Sequence, residues 1–220
     1  MFDALVAAVF PTACPGCGAR ADPLCERCAA TLRAARPAPP PPGIDAWVAP
    51  YAYEGVAREV VARVKYRQAR AAVPWLAAAI RGALTAGPGL AFDLVTWAPT
   101  TRTRRRARGF DHAELLARTL ARLLALPAVA TLRRRPGPHQ TGLPSEARRR
   151  GPAFEGRRTA IPVGARLLIV DDVATTGATL EAAARALRAA SARRVVAATA
   201  ARTPPGASSS RQPRALDHAE

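Results

Sequence analysis

The sequence predicts an α/β fold, a parallel sheet flanked by helices, with a small four-cysteine module on its N-terminal side. Three observations lead there. The run Leu167-Leu168-Ile169-Val170 is continuously apolar, as befits a strand buried on both faces of a parallel sheet. Short apolar runs alternate with amphipathic helical stretches between Ile44 and about Arg202, the pattern of successive βα units. All four cysteines, Cys14, Cys17, Cys25 and Cys28, fall in one cluster of two CxxC units.

Composition divides the chain into four parts. Residues 1–36 hold the cysteine module, and residues 37–43 are a proline-rich linker. Residues 44–202 form the α/β domain. Residues 203–220, rich in Pro, Ser and Gly, read as a disordered tail. Consecutive prolines at 39–42 favour an extended, fairly stiff spacer.

Within the domain the elements follow in order. Val56, Val60 and Val64 recur at helical spacing, with Glu59 and Arg63 placed for an i,i+4 pair. Pro74 suits the first turn of a second helix, whose apolar face carries Leu76, Ala79, Ile80, Ala83 and Leu84. Phe92 to Ala98 is a short apolar run closed by Pro99 and reads as a buried strand. Asp111, with Glu114 three residues on, has the form of a helix N-cap. A stripe of Leu115, Leu116, Thr119, Leu120 and Leu123 follows it. Ala128 to Leu132 is expected to be a strand. Pro136 to Gly151 has loop composition and dense arginine. Arg166 to Val173 is the clearest strand. Leu180, Ala183, Ala184 and Leu187 mark the next helix, and Val195 to Thr199 the last strand.

The formal net charge is +17 and the apolar share is 49%, enough for a core built largely of alanine. Nearly all the positive charge is arginine, with Lys65 the only lysine. The excess suits an acidic partner such as nucleic acid, polyphosphate or an anionic substrate. An arginine-heavy, lysine-poor composition also follows from GC-rich codons, so charge alone assigns no partner. No stretch reaches the roughly 20 apolar residues of a membrane helix. Met1 to Phe10 lacks the basic and apolar regions of a signal peptide, so a cytoplasmic, membrane-free protein is expected.

In a reducing compartment a cysteine cluster holds metal more readily than it forms disulfides. Each CxxC can present two thiolates to one ion, and two such knuckles complete a closed tetrahedral site. Structural zinc is therefore expected on Cys14, Cys17, Cys25 and Cys28. So short a module has too little core to fold without it.

The segment Leu167 to Thr179 reads L-L-I-V-D-D-V-A-T-T-G-A-T. A buried strand delivers Asp171 and Asp172 to its C-terminal end, the edge where ligands of open α/β sheets bind. Thr175, Thr176, Gly177, Ala178 and Thr179 then run into a helix. Their hydroxyls and the free N–H groups at the helix start suit a phosphate monoester. The carboxylates suit sugar hydroxyls, or Mg²⁺ held through water. The set addresses a sugar phosphate.

This run resembles the phosphoribosyl-pyrophosphate (PRPP) motif of type I phosphoribosyltransferases. Pro99, Arg104, Arg106, Arg108, Gly109 and Phe110 resemble the P-x(4)-R-x-R-x-R-G-F stretch of ComF-type members of that family. The Lys65-Tyr66 pair resembles the family too. His139-Gln140-Thr141-Gly142-Leu143, Arg148 to Arg150 and Ala153-Phe154 resemble its arginine-rich mobile loop. The family usually has Asn-Gln where Asp111-His112 stand, so Asp111 is read as a cap and His112 as an exposed first-turn residue.

The resemblance implies a type I phosphoribosyltransferase fold with a zinc-ribbon module, binding PRPP with Mg²⁺. Asp171 and Asp172 would hold the ribose hydroxyls, and Thr175 to Thr179 the 5′-phosphate. The basic loop carrying Arg104, Arg106 and Arg108 would face the pyrophosphate, Lys65 would add a cation at the site, and Pro136 to Gly151 would close as a lid. Phosphoribosyl transfer to an acceptor follows, with a link to DNA uptake. The alternative is a non-catalytic PRPP sensor or DNA-processing accessory that contacts a DNA-uptake helicase or single-stranded DNA. The basic stretches Arg102 to Arg108 and Arg133 to Arg135 contain no aromatic residue, which disfavours a base-stacking surface.

Overall fold

The computed structural model describes residues 13–66, 70–86, 89–135 and 152–204. The expected lid, Pro136 to Gly151, lies outside the described residues. So do Met1 to Phe10 and all of the expected tail beyond residue 204.

The central strands are β6 (Arg166–Ala174) and β7 (Arg194–Arg202). Leu167, Leu168, Ile169 and Val170 are wholly buried, as the unbroken apolar run requires. β3 (Leu94–Trp97) pairs parallel with β6, Trp97 opposite Val170. On the far side, β1 (Ala46–Val48) and β2 (Tyr51–Ala52) both pair parallel with β7. The sheet thus runs β1-β7-β6-β3, with β2 continuing the β1 edge.

Period-two alternation divides the core between the two faces of the sheet. Leu168, Val170, Val196 and Ala198 pack on one face against α2 (Gly55–Tyr66), α3 (Ala72–Thr85) and α5 (His112–Leu123). Leu167, Ile169, Val195 and Ala197 pack on the other against α6 (Ala178–Ala189). Small side chains let the helices sit close: Ala77, Ala117, Ala183 and Ala184 have no exposed surface. Asp111 caps α5 as expected, its Oδ1 accepting from the N–H of Ala113 at 3.1 Å and of Glu114 at 3.4 Å. Its Oδ2 accepts from Thr100 N–H at 2.8 Å, which fixes the segment leaving β3.

Four expectations are corrected. Ala128 to Leu132 does not form a sheet strand. Ala128 makes one isolated parallel bridge with Val95. The chain then enters β4 (Leu132–Arg134), antiparallel to β5 (Phe154–Gly156). This ribbon lies so close to α6 that a Cβ on Gly156 would stand 2.6 Å from the Ala186 carbonyl oxygen. The basic segment after β3 is not a loop but a short helix, α4 (Arg102–Arg108). Thr101 caps it at 3.2 Å, and Gly109 ends it in the left-handed region. Glu59 and Arg63 form no ion pair, and Arg63 Nε is buried without a partner. His112 is not exposed: it retains 5% of its surface.

The proline run does not stand clear of the body. Ile44 N–H donates to the Pro41 carbonyl at 3.0 Å, and Gly43 (φ +80) faces Ala184 on α6. The cysteine module, with its short helix α1 (Glu26–Ala30), is also docked. Leu24 packs against the α2–α3–α5 core, and Ala52 N–H donates to the Arg33 carbonyl at 2.9 Å. Among the described residues no helix is long and apolar enough to cross a membrane.

Candidate functional site

Three elements converge at the C-terminal edge of the sheet. β6 brings Asp171 and Asp172, its turn into α6 brings the threonines, and the end of α2 brings Lys65. The Lys65 ammonium lies 3.0 Å from Asp172 Oδ1, both side chains 20% exposed. Burial works against the charged lysine, but Asp172, with Asp171 behind it, outweighs burial and raises the Lys65 pKa above its usual value. Asp171 is more tightly enclosed. Burial, and then the neighbouring Asp172 charge, push it up to about 8 against the pull of Lys65 and the Asp172 N–H. Asp171 is thus held toward its protonated form at neutral pH, beside the contact between Lys65 and Asp172.

β6 ends at Ala174 and the chain turns sharply. Thr175 and Thr176 are exposed and Gly177 is buried. Gly177 is the N-cap of α6 with φ 77 and ψ −3, a conformation that disfavours any residue with a Cβ. Thr176 Oγ1 accepts weakly from Ala178 N–H at 3.4 Å. The first-turn N–H groups of α6, from Ala178 and Thr179 onward, have no carbonyl partner within the helix. Two exposed hydroxyls and a helix N-terminus thus stand beside the two carboxylates, as a sugar phosphate requires.

The arginines separate by role. Arg104 and Arg106 are exposed on α4, which leaves the sheet edge beside Asp171. Arg108 is engaged elsewhere: its Nη2 donates to Tyr66 Oη at 3.2 Å and its guanidinium lies 4.8 Å from the Tyr66 ring centroid. Sequence reasoning gave no role to Arg134, yet it belongs here. On β4, Arg133 and Arg135 both pair with Glu155, at 3.1 and 3.4 Å. Alternation turns Arg134 to the opposite side, where it lies 5.6 Å from the Phe154 ring centroid. Burial, and then Arg104, lower its pKa, opposed by Asp171 and Asp111. Two arginines from separate elements thus act on one another beside Asp171. The signal in sequence was the Arg-Arg-Arg triplet followed by Glu155, legible only once the ribbon pairing is known.

The cysteine cluster is arranged for one ion. The four Sγ atoms lie within 4.8 Å of one another. Cys17 Sγ and Cys25 Sγ stand 3.7 Å apart, near the S···S spacing of about 3.8 Å that Zn–S bonds of about 2.3 Å impose on a tetrahedron. Gly16 N–H donates to Cys14 Sγ at 3.4 Å, as the turn of a metal knuckle does. A Cβ on Gly16 would lie 2.8 Å from Cys28 Sγ and 3.1 Å from Val56 Cγ1, so the cluster is seated on α2. The donor set fits a closed, four-thiolate metal site.

Residues 107–215 match the family model described as "Phosphoribosyl transferase domain". That span contains β6, the Thr-Thr-Gly turn, α6 and β7. A search of curated proteins gives no match. Among solved structures, a glutamine PRPP amidotransferase from B. subtilis complexed with ADP and GMP is 21% identical. The TM-score is 0.41, over 60% of this chain and 26% of that one. The chain spans a similar 26% of an allosteric regulatory enzyme of purine biosynthesis. An adenine phosphoribosyltransferase from Thermoanaerobacter pseudethanolicus is 19% identical, with a TM-score of 0.39 over 65% of this chain and 85% of that one. An orotate phosphoribosyltransferase from Aeropyrum pernix is 22% identical, with a TM-score of 0.34 over 61% of this chain and 59% of that one.

Proposed function

We propose that this chain binds PRPP and transfers its phosphoribosyl group to an acceptor, as a ComF-type phosphoribosyltransferase with a zinc-ribbon module. The observation that carries the reading is the meeting of Lys65 with Asp171, Asp172 and the Thr175–Thr179 turn at one sheet edge, the two aspartates and the turn lying inside the span that matches the phosphoribosyl transferase family. Asp171 and Asp172 accept hydrogen bonds from the ribose hydroxyls. Thr175, Thr176, Gly177, Ala178 and Thr179 hold the 5′-phosphate. Arg104, Arg106 and Arg134 face the pyrophosphate oxygens, for which guanidinium is the natural clamp. Lys65 keeps positive charge beside the carboxylates, and Arg108 supports that side through Tyr66.

In the transfer, the bond from the anomeric carbon to pyrophosphate breaks and its electron pair departs with pyrophosphate. A lone pair on the acceptor forms the new bond, and the acceptor's proton passes to solvent. The residues act by placing charge around an oxocarbenium-like centre and the departing anion. Mg²⁺ arriving with PRPP would neutralise phosphate charge beside Asp171 and Asp172. Zinc on Cys14, Cys17, Cys25 and Cys28 would fix the module against α2. Pyrophosphate release assayed against a panel of nucleobases tests catalysis. Release with one acceptor supports transfer, and saturable PRPP binding without release supports a sensor.

A second reading rests on Tyr66, which is 69% exposed beside the arginines of α4. It supplies an aromatic surface that the basic stretches lack in sequence, so an accessory role on single-stranded DNA, linked to DNA uptake, has a physical footing. Tyr66→Ala should then weaken binding of a labelled oligonucleotide, and unchanged binding would remove this reading.

A further inference from the structure

The last turn of α2 ends against a buried histidine. His112 is the first residue of α5 and is 5% exposed. Its Nε2 lies 3.2 Å from the Val64 carbonyl oxygen and 3.2 Å from that of Lys65. Carbonyl oxygens only accept, so Nε2 carries a hydrogen shared between the two. The ring packs at 4.6 Å against Phe110. Burial holds its pKa below the usual value, and Arg108 and Lys65 oppose the pull of Asp172.

These two carbonyls sit where a helix exhausts its own donors. The Lys65 side chain leaves from the same turn and reaches Asp172 at 3.0 Å. Lys65, His112 and Asp172 form the polar end of a small cavity whose walls are otherwise apolar, among them Val61, Val64 and Leu76. The family resemblance places another residue type at this position, so nothing in the motif assigns His112 a task.

We propose that His112 is the positioning residue for Lys65: by donating to both carbonyls it fixes the end of α2, and so holds the ammonium against Asp172. The inference rests on reading Lys65 and Asp172 as part of the ligand site. Without the donor, two carbonyls lose their partner, the last turn loosens and the ammonium leaves the carboxylate. Glutamine keeps an N–H donor, whereas alanine does not.

Lys65 is the only lysine in the chain, so ¹⁵N-lysine labelling yields a single Nζ signal. In ligand-free wild-type protein that signal should be sharp and slow to exchange. In His112→Ala it should broaden into solvent exchange, and in His112→Gln it should survive. Calorimetry with PRPP and Mg²⁺ should show His112→Ala roughly fivefold weaker than wild type, with most of the loss recovered in His112→Gln. In a Lys65→Met background, His112→Ala should cost nothing more. The same Nζ signal in wild type and His112→Ala would overturn the proposal, as would an equal loss of affinity with and without Lys65. If wild type fails to bind PRPP while the Nζ signal still depends on His112, the ligand reading fails and the positioning role stands.

Discussion

Gly177 and Pro41 touch: a Cβ built on Gly177 would stand 2.8 Å from Pro41 Cγ. The linker from the cysteine module therefore forms the outer wall of the Thr-Thr-Gly turn. Gly177 also has φ +77, so alanine there meets both strain and a clash. Gly164 separates the two effects, since it has φ +76 and nothing within 4 Å. The left-handed conformation should cost each alanine variant about 1–2 kcal/mol, roughly 2–8 °C in Tm for a domain of this size. Gly177→Ala should fall further and lose most of its PRPP affinity, whereas Gly164→Ala should bind normally. Equal binding by the two variants would remove the turn from the site.

The raised pKa of Asp171, about 8, gives a pH dependence of definite sign. Between about pH 4, where an ordinary aspartate titrates, and about pH 8, the folded state holds a proton that the unfolded chain has lost. Stability from this group is thus full at low pH and declines as pH rises through that window. Asp171→Asn retains the neutral form at every pH. Its Tm advantage over wild type should grow from pH 5 to pH 8 and then level off. Ligand hydroxyls and Mg²⁺ favour the carboxylate, so binding at pH 7 should release protons, visible as a dependence of calorimetric enthalpy on the buffer.

Zinc is expected at one ion per chain. Elemental analysis of purified protein should return that ratio, and Cys25→Ser should lose the ion. Because Gly16 abuts Val56 on α2, metal loss should also lower the Tm of the whole protein rather than release an independent module. Two ions per chain, or none after anaerobic purification, would contradict the assignment.

Arg134 should discriminate ligands by their pyrophosphate. Arg134→Gln should weaken PRPP binding about tenfold, at the loss of roughly 1.4 kcal/mol expected for a charge-assisted hydrogen bond. It should leave ribose 5-phosphate binding unchanged. Arg133→Gln, which loses only the exposed pair with Glu155, should affect neither. An unchanged ratio of the two affinities in Arg134→Gln would place Arg134 outside the clamp.

The central strand, its turn and α6 were legible because the run from Leu167 to Thr179 combines an unbroken apolar stretch with residues only a turn and a helix start would use. The Asp111 cap was legible for the same reason, since its signal is local. α4 was missed although Thr101 and Gly109 are ordinary start and stop residues, because its Arg-rich body shows no apolar face. β1 and β2 span three and two residues, too short for alternation to register. The burial of His112 and the inward turn of Arg134 arise from segments far apart in sequence, α2 against α5 and β4 against β5. No local pattern carries them.

The account stands or falls on the two carboxylates of β6. Titration calorimetry with PRPP and Mg²⁺ should give saturable binding at one site per chain for the wild-type protein. The double variant Asp171→Ala, Asp172→Ala should bind far more weakly while remaining folded by circular dichroism. Equal affinity for the two proteins would contradict the assignment of the site.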